Sequence, residues 1–380
     1  MIETLIRNAV DVLPAGGLEE KLKLGQPLRV KLGIDVTSPD IHVGRGIPLQ
    51  RMRAFQDEGH TGVLIVGDYT TRIGDPSGRS AERPILSDEE IDRNAKTYVD
   101  QALQILDPER TEIRFNSEWL KGLDFAEILR LTRTVTVAQL LERDDFSKRY
   151  GSGEPISVSE LLYPLMQAYD SVAVESDVEL GGTDQLYNLL AGRTVMEAYG
   201  LAPQVVLTTP ILLSWDGAKM SSSLGNNIPL AAAPEEQFGR TMRIPDEQLP
   251  EWYRLVLEQP LPGGEPMAAK LALARWIAAR SHGDEAAAAA EAHFTRVVRE
   301  GQAPEEVVET PLPEGDPVHL PAALAAAFGL STSEARRLIS QGGVKLDGEV
   351  VHGLDHRRGE LVGKTVQAGK RRFTRFAGTA

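Results

Sequence analysis

The stretch LRVKLGIDVTSPDIHVGRGIPLQRMRAFQDEGHTGVLIVGD, residues 28–68, predicts how the first half of the chain folds. Its two ends, residues 28–35 and 61–68, are apolar runs typical of buried strands. Between them apolar residues recur at helical spacing, at Ile47, Leu49, Met52 and Phe55. A strand, a crossover helix and a second strand form a βαβ unit, whose strands run parallel. The stretch therefore predicts an α/β fold built on a parallel sheet.

The remaining sequence changes character along the chain. Residues 230–300 are alanine-rich and favour helices, and residues 301–321 are rich in proline, as in a linker. Ser331 and Glu334 have the spacing of a helix capping box. The segment VKLDGEVV, residues 344–351, predicts a hairpin with a two-residue turn.

Composition limits the class of protein. The 380 residues carry a net charge of -14 and include no cysteine, so disulfides and thiolate metal sites are excluded. We find neither a signal peptide nor a membrane-spanning run, and we expect a cytoplasmic protein. Residues 331–380 are different from the rest, since ten Lys and Arg outnumber five Asp and Glu there. A basic module on an acidic body favours a nucleic-acid partner.

The segment DVTSPDIHVGR, residues 35–45, leaves the first predicted strand and enters the helix. The helix N-terminus presents free backbone N–H groups and a positive dipole end, which suit a phosphate. His42 can donate to a phosphate oxygen, and Gly44 lets a flat ring or sugar approach the backbone. A helix start with a surface histidine is the alternative.

The segment RIGDPSGRSAER, residues 72–83, follows the second strand, again where doubly wound sheets bind ligands. It offers Asp75 in a turn, followed by Arg79 and Arg83. A solvated loop is the alternative. The patterns GxxxxGK[ST] and GxGxxG are absent from the sequence, which disfavours a P-loop NTPase or a dehydrogenase.

Two further segments align polar groups. In LLYPLMQAYDS, residues 161–171, Tyr163, Gln167 and Asp170 share one helical face, which suits a pocket but is also found on wet helix surfaces. In ELGGTDQLYN, residues 179–188, two glycines allow close approach and Asp184 can bind a vicinal diol. A capped turn explains the second segment equally well.

The segment GAKMSSSLGNN, residues 217–227, places Lys219 and three serines between glycines and asparagines. A compact cation on a mobile loop can close on a phosphate. A serine-rich linker is the alternative. No segment of the sequence forms an obvious activated nucleophile, so we expect catalysis by positioning and charge neutralisation.

In this order, the motifs resemble those of class I aminoacyl-tRNA synthetases. HVGR, residues 42–45, stands at the "HIGH" signature of that family, and KMSSS, residues 219–223, at its "KMSKS" signature. QAYD and GGTDQ are similar to the tyrosyl enzymes, and residues 331–351 resemble the S4 RNA-binding module of bacterial members. The resemblance implies a Rossmann-like catalytic domain over 1–229, an α-helical anticodon-binding domain over 230–305, a linker over 306–317 and an α+β S4 domain over 318–380.

The resemblance also implies roles for individual residues. Those expected to act on the phosphates in catalysis are Thr37, His42, Arg79, Arg83 and Lys219. Those expected to bind tyrosine are Asp75, Tyr163, Gln167, Asp170, Gln185 and Lys31. Those expected to bind ATP are Asp35, Gly44, Arg45, Gly182, Asp184, Lys219, Met220, Ser221 and Ser223. Those expected to bind tRNA are Arg336, Arg337, Lys345, Arg371 and Arg372.

By the same resemblance, the partners are L-tyrosine, ATP carrying Mg²⁺, and tRNA(Tyr), and the chain forms a homodimer. We expect neither a tightly bound cofactor nor a resident metal. The sequence departs from the family at three places: Arg45 stands for the second signature histidine, Lys31 for a tyrosine against the substrate hydroxyl, and Ser222 for the second lysine of the loop. The alternatives are a catalytically impaired RNA-binding paralogue and a ligase for tryptophan or another aromatic amino acid.

Overall fold

The computed structural model describes residues 2–76, 86–299, 307–369 and 372–378, apart from the side chains of residues 298 and 299. It contains two compact units. The first comprises Met1–Ala232 with Arg243–Leu273, and the second comprises Ala233–Met242 with Ala274–Ala380.

The strands and helices follow one another along both units. The strands are β1 (Asp11–Leu13), β2 (Arg29–Ile34), β3 (Thr61–Val66), β4 (Thr111–Phe115), β5 (Val178–Gly182), β6 (Val205–Thr209), β7 (Glu309–Pro311), β8 (Val318–His319), β9 (Val344–Leu346), β10 (Glu349–Val350), β11 (Asp355–His356), β12 (Thr365–Ala368) and β13 (Arg372–Ala377). The helices are α1 (Ile2–Leu5), α2 (Gly17–Lys23), α3 (Val43–Asp57), α4 (Asp88–Ala102), α5 (Ser117–Leu120), α6 (Phe125–Thr132), α7 (Val137–Leu140), α8 (Asp144–Ser152), α9 (Val158–Val174), α10 (Leu186–Ala198), α11 (Pro234–Thr241), α12 (Leu249–Trp252), α13 (Pro266–His282), α14 (Asp284–Phe294), α15 (Leu320–Phe328), α16 (Thr332–Ser340) and α17 (Arg358–Leu361).

The sheet of the first unit has the order β1-β6-β5-β2-β3-β4. β6, β5, β2, β3 and β4 run parallel, and β1 pairs antiparallel with β6 at one edge. The chain builds outward from β2 to β3 and β4, and then returns to build β5 and β6 on the other side. The order therefore reverses between β2 and β5, where doubly wound sheets bind ligands. The predicted βαβ unit and parallel sheet are confirmed.

Helices cover both faces of this sheet because its central strands are apolar on both faces. Leu64 of β3 packs into the larger core with Phe55 of α3. Val63, its neighbour in the strand, faces the other way and packs with Val174 of α9. Successive side chains of a strand point to opposite faces, so α3 and α9 are held on opposite faces of the sheet.

The second unit contains helices and a small sheet of order β10-β9-β12-β13-β7. The predicted helices of the alanine-rich segment are present as α13 and α14. The predicted hairpin is β9 and β10, where Asp347 and Gly348 both have positive φ (47° and 93°), as a tight two-residue turn requires. The capping box of Ser331 and Glu334 begins α16.

Part of the segment predicted as a linker belongs to this sheet. β7 pairs parallel with β13, and Leu312 is buried in the C-terminal core. Proline is tolerated there because β7 is an edge strand, whose outer N–H groups need no partner in the ladder. The sequence did not predict β7, because a segment rich in proline is typical of a linker.

Candidate active site

The candidate site lies where β2 and β5 end, at the reversal of strand order. Asp35 comes directly after β2, and β5 ends at Gly182. His42 begins α3 and Asp184 lies in the turn that leads into α10. The sheet thus brings together segments that are more than a hundred residues apart in sequence.

His42 is the N-cap residue of α3. Its Nδ1 accepts a hydrogen bond of 3.3 Å from the backbone N of Arg45, and 6% of the residue is exposed. Burial, aided by the charges of Arg45 and Lys219, lowers the pKa of His42 to about 3. The ring is therefore neutral near pH 7 and carries its proton on Nε2, because Nδ1 is an acceptor. Nε2 is left as a donor, as expected of a group that binds a phosphate oxygen.

Asp35 is held by several neighbouring groups. It accepts hydrogen bonds from Thr70 Oγ1 (2.8 Å), Tyr163 Oη (3.1 Å) and the backbone N of Asp75 (3.2 Å). The backbone of Gly67 also lies close, since a Cβ there would be 2.5 Å from Asp35 Oδ1. Asp35, predicted to bind ATP, thus directly contacts two residues predicted to bind tyrosine.

Asp170, one of the predicted tyrosine ligands, is 3% exposed. Its Oδ1 accepts from Trp119 Nε1 at 2.8 Å and its Oδ2 from Asn116 Nδ2 at 3.4 Å. Burial raises the pKa of Asp170 to about 7, against the opposing effects of Lys31, Trp119 and Asn116. Sequence reasoning missed Trp119 and Asn116, although both follow β4 and therefore lie at the same edge of the sheet.

Three amide side chains connect the other predicted tyrosine ligands. Asn188 Nδ2 donates to Gln167 Oε1 at 3.1 Å and to Gln185 Oε1 at 3.0 Å. Gln185 Nε2 donates to Asp75 Oδ2 at 2.6 Å, and Gln167 Nε2 to Glu179 Oε1 at 3.3 Å. The structure therefore brings Asp75, Gln167 and Gln185 into one hydrogen-bonded group. Asn188 is the member that sequence reasoning missed.

Lys31 is fully buried under α9. Its Nζ lies 2.8 Å from Glu179 Oε1, and it donates to the backbone oxygen of Gln167 at 2.9 Å and to Ser171 Oγ at 2.7 Å. These acceptors match the three hydrogens of an ammonium group. Lys31 thus fixes α9 to the sheet beneath the predicted pocket, and its predicted contact with tyrosine would require one of these bonds to be exchanged.

The segment predicted as a mobile loop is anchored. Met220 is 2% exposed and Asn226 is 3% exposed. The Asn226 side chain accepts from the backbone N of Ser221 at 2.8 Å and donates to Asp216 at 3.0 Å. Lys219 remains half exposed and pairs with Asp184. Lys219 therefore lies beside Asp184, a predicted ATP ligand, on a loop that buried and hydrogen-bonded side chains hold in this structure.

A family model of "tRNA synthetases class I (W and Y)" matches residues 23–299. The chain belongs to this family. An S4 domain model matches residues 320–352.

Several relatives match almost the whole chain. The tyrosine–tRNA ligase of Thermotoga maritima is 47% identical over 99% of this chain and 97% of its own length. That of Moorella thermoacetica is 46% identical over 99% of this chain and 95% of its own length.

Solved structures of similar fold include a truncated mitochondrial tyrosyl-tRNA synthetase of Aspergillus nidulans. It is 21% identical, with a TM-score of 0.63 over 77% of this chain and 92% of that one. The Archaeoglobus fulgidus tyrosyl-tRNA synthetase complexed with L-tyrosine is 22% identical, with a TM-score of 0.62 over 76% of this chain and 98% of that one. Both structures have a fold similar to that of this chain.

Two residues that depart from the synthetase signatures, Arg45 and Ser222, make side-chain contacts in the structure. Arg45 Nη1 donates to Tyr98 Oη at 3.2 Å, and its guanidinium lies 5.6 Å from the centre of the Tyr98 ring. Ser222 Oγ accepts from Asn227 Nδ2 at 3.2 Å, so it helps to hold the signature loop. Arg45 and Ser222 thus both make contacts inside the first unit.

The other predicted ligands occupy different settings. Thr37 is half buried after β2, and Gly182 lies so near Asp184 that a Cβ would be 2.6 Å from Asp184 Oδ1. Ser221 and Ser223 are joined through their hydroxyls at 2.9 Å. Arg79, Arg83 and Arg371 lie outside the described residues.

The predicted tRNA ligands that the structure describes lie in the S4 region. Arg336 and Arg337 are exposed on α16, whose opposite face buries Ala335 and Ile339. Arg372 is exposed at the start of β13, and Lys345 of β9 is half buried. Arg336 and Arg337 therefore form part of the polar face of an amphipathic helix.

Two features are absent from the described part of the chain, a cluster of metal-binding side chains and a membrane-spanning helix. Among residues 2–76, 86–299, 307–369 and 372–378, there is no group of three or more His, Cys, Asp or Glu side chains that could hold a metal ion. Within these same ranges, no helix combines the length and the apolar character needed to cross a membrane.

Proposed function

We propose that this synthetase is a tyrosine–tRNA ligase. It would activate L-tyrosine with ATP to form tyrosyl-adenylate and pyrophosphate, and then transfer tyrosine to the 3'-terminal adenosine of tRNA(Tyr). The observation that carries the proposal is a hydrogen-bonded group that links Asp75 to Gln167. Gln167 lies on the same face of α9 as the buried Asp170. The curated relatives at 47% and 46% identity are named as tyrosine–tRNA ligases, which supports it.

The polar groups suit the two ends of tyrosine. Asp75 supplies a carboxylate for the ammonium group, with Tyr163 and Gln167 as further polar partners. Asp170 supplies a buried acceptor for the phenol. A buried acceptor without its partner is costly, so phenylalanine, which has no hydroxyl, would bind less well.

The ATP side requires charge stabilisation. The tyrosine carboxylate oxygen attacks the α-phosphorus, a new phosphorus–oxygen bond forms, and the bond to the β-phosphate breaks as pyrophosphate leaves. Negative charge moves onto the leaving group, which His42, Thr37 and Lys219 would stabilise, with Arg79 and Arg83. Mg²⁺ would arrive as part of the ATP substrate, and no tightly bound cofactor is needed.

Gly44, Arg45, Gly182 and Asp184 would bind the adenosine, together with Asp35. Met220, Ser221 and Ser223 of the signature loop would complete the ATP site. Asp184 has two carboxylate oxygens, one of which the structure pairs with Lys219. Its position after β5, beside Lys219, supports a role next to the ribose and the phosphates.

Transfer requires a tRNA surface, which we assign to Arg336, Arg337, Lys345, Arg371 and Arg372. The S4 match and the exposure of the α16 arginines support this assignment. The assignments of residues 1–229 to catalysis and 230–305 to anticodon binding, and the homodimer, rest on the family resemblance. A cytoplasmic location is also part of the proposal, and the lack of cysteine fits a reducing compartment.

The test is exchange of labelled pyrophosphate into ATP without tRNA, with tyrosine, tryptophan and phenylalanine in parallel. Exchange that depends on tyrosine alone is expected. Exchange with tryptophan instead would identify a ligase for another aromatic amino acid. Absence of exchange with all three would contradict the catalytic proposal and favour an RNA-binding paralogue.

A further inference from the structure

Arg143 lies behind the predicted tyrosine ligands, at the start of α8. It is 5% exposed, and it forms a two-point ion pair with Asp145 through Nε at 3.0 Å and Nη2 at 2.9 Å. Its guanidinium lies 4.8 Å from the centre of the Phe146 ring and 5.6 Å from that of Tyr187. These contacts hold the planar group in one orientation. Its Nη1 then donates to Asn188 Oδ1 at 2.9 Å.

This contact determines which way the Asn188 amide faces. The two ends of an amide have nearly the same shape, but a guanidinium can only donate hydrogen bonds. Asn188 must therefore turn Oδ1 toward Arg143 and Nδ2 toward the two glutamines. Asn188 is 1% exposed, so water offers little compensation for the reversed orientation.

The orientation passes on to the glutamines. Asn188 Nδ2 donates to the oxygens of both Gln167 and Gln185, so each glutamine turns its Nε2 away from Asn188. Gln185 Nε2 consequently points to the Asp75 carboxylate at 2.6 Å. An N–H donor in this position also suits the carboxylate of a bound amino acid, whereas an amide oxygen would repel it.

We propose that Arg143 acts through Asn188 as a positioning residue that keeps the Nε2 donor of Gln185 directed toward the amino-acid carboxylate. This inference rests on the proposed function. Arg143 is needed most when substrate is present. An arriving ammonium group competes for Asp75 and removes the acceptor that otherwise helps to orient Gln185, while the contacts of Arg143 are unchanged.

Asn188→Asp is the direct test, because it keeps the shape and can still accept from Arg143 but cannot donate to the glutamines. We expect kcat/KM for tyrosine in pyrophosphate exchange to fall about tenfold or more, because the variant leaves the two buried glutamine oxygens without the donor that orients them. The KM for ATP should stay near that of the parent, whereas the melting temperature should fall, because the buried glutamine oxygens lose their donor. Unchanged kcat/KM in a folded variant would overturn the proposal.

A double-mutant cycle gives a readout that a merely structural role would not move. If Arg143 acts through Asn188, Arg143→Met should add little to the kcat/KM loss already caused by Asn188→Ala. Additive losses would overturn the proposal. The matched control is Arg149 of α8, also 5% exposed and paired at two points with Glu160 (2.5 and 3.0 Å). Arg149→Met should lower the melting temperature but combine additively with Asn188→Ala in kcat/KM.

The two proposals fail in different ways. If the parent protein shows no tyrosine-dependent exchange, the proposed function is wrong. If the parent is active but the cycle is additive, the function stands and the role of Arg143 is wrong.

Discussion

The indole Nε1 of Trp119 donates a hydrogen bond of 2.8 Å to Oδ1 of Asp170. A donor to the carboxylate favours its ionised form, whereas burial favours the neutral form. The balance raises the pKa of Asp170 to about 7, near the pH at which enzymes are usually assayed. The proposed phenol acceptor is thus partly protonated at neutral pH.

This balance predicts a pH dependence. The ionised carboxylate is the better acceptor for a phenol hydroxyl, so kcat/KM for tyrosine should rise with pH and level off above about 7. Trp119→Phe removes a donor to the charged form and should raise the pKa of Asp170. We expect the midpoint of the profile to move upward by about one pH unit, the size of a hydrogen bond to a charged group.

The matched control for this profile is Trp276→Phe, since Trp276 stacks with Arg280 on α13. Its profile should superimpose on that of the parent. A profile of Trp119→Phe that keeps the parent midpoint would show that the ionisation of Asp170 does not control tyrosine use.

His42 predicts a separation of two roles. Asparagine is a good N-cap residue but is shorter and lacks the ring Nε2. His42→Asn should therefore change the free energy of unfolding by less than about 1 kcal/mol, yet lower kcat of exchange about a hundredfold, as loss of a charge-stabilising donor does. His42→Ala should lose the cap as well. If His42→Asn retained full kcat, the ring would be a cap and nothing more.

The structure explains why much of the fold was predictable and part of the site was not. The βαβ unit of residues 28–68 was predictable, because the spacing of apolar residues and the turn residues determine strands and helices locally. That Gln167 and Asp170 share a face of α9 was predictable, because residues three apart lie on the same side of a helix. Trp119, Asn188 and Arg143 were not, since their contacts join distant segments that only the folded sheet brings together.

The ion pair of Lys31 also joins segments that are distant in sequence, and it leads to a prediction about stability. Its ammonium and the Glu179 carboxylate, 0% and 1% exposed, form a buried ion pair. Lys31→Met leaves the buried Glu179 carboxylate without its opposite charge, which should cost about 3–5 kcal/mol of unfolding free energy. The double variant Lys31→Met with Glu179→Gln should regain part of this free energy of unfolding, which denaturant unfolding measures. If the double variant lost the sum of the two single losses, the pair would contribute no coupling.

The last prediction concerns α16, where Arg336 and Arg337 are exposed while Ala335 and Ile339 are buried. Replacing both arginines with glutamate leaves the buried face intact, so the S4 region should stay folded. Pyrophosphate exchange without tRNA should be unchanged. The KM for tRNA in aminoacylation should rise about tenfold or more, and the dependence of tRNA binding on salt should become shallower by about one in log–log slope for each lost phosphate contact.

Lys364 provides the control, because its Nζ is already paired with Asp347 at 2.7 Å. Lys364→Gln removes one positive charge from the same region without touching α16, so it tests whether overall charge alone matters. If Lys364→Gln raised the KM for tRNA as much per unit of charge removed as the arginine variant does, a specific role of α16 would be contradicted. A loss of exchange in the arginine variant would instead show that these arginines act on the adenylation site, which the assignment to tRNA excludes.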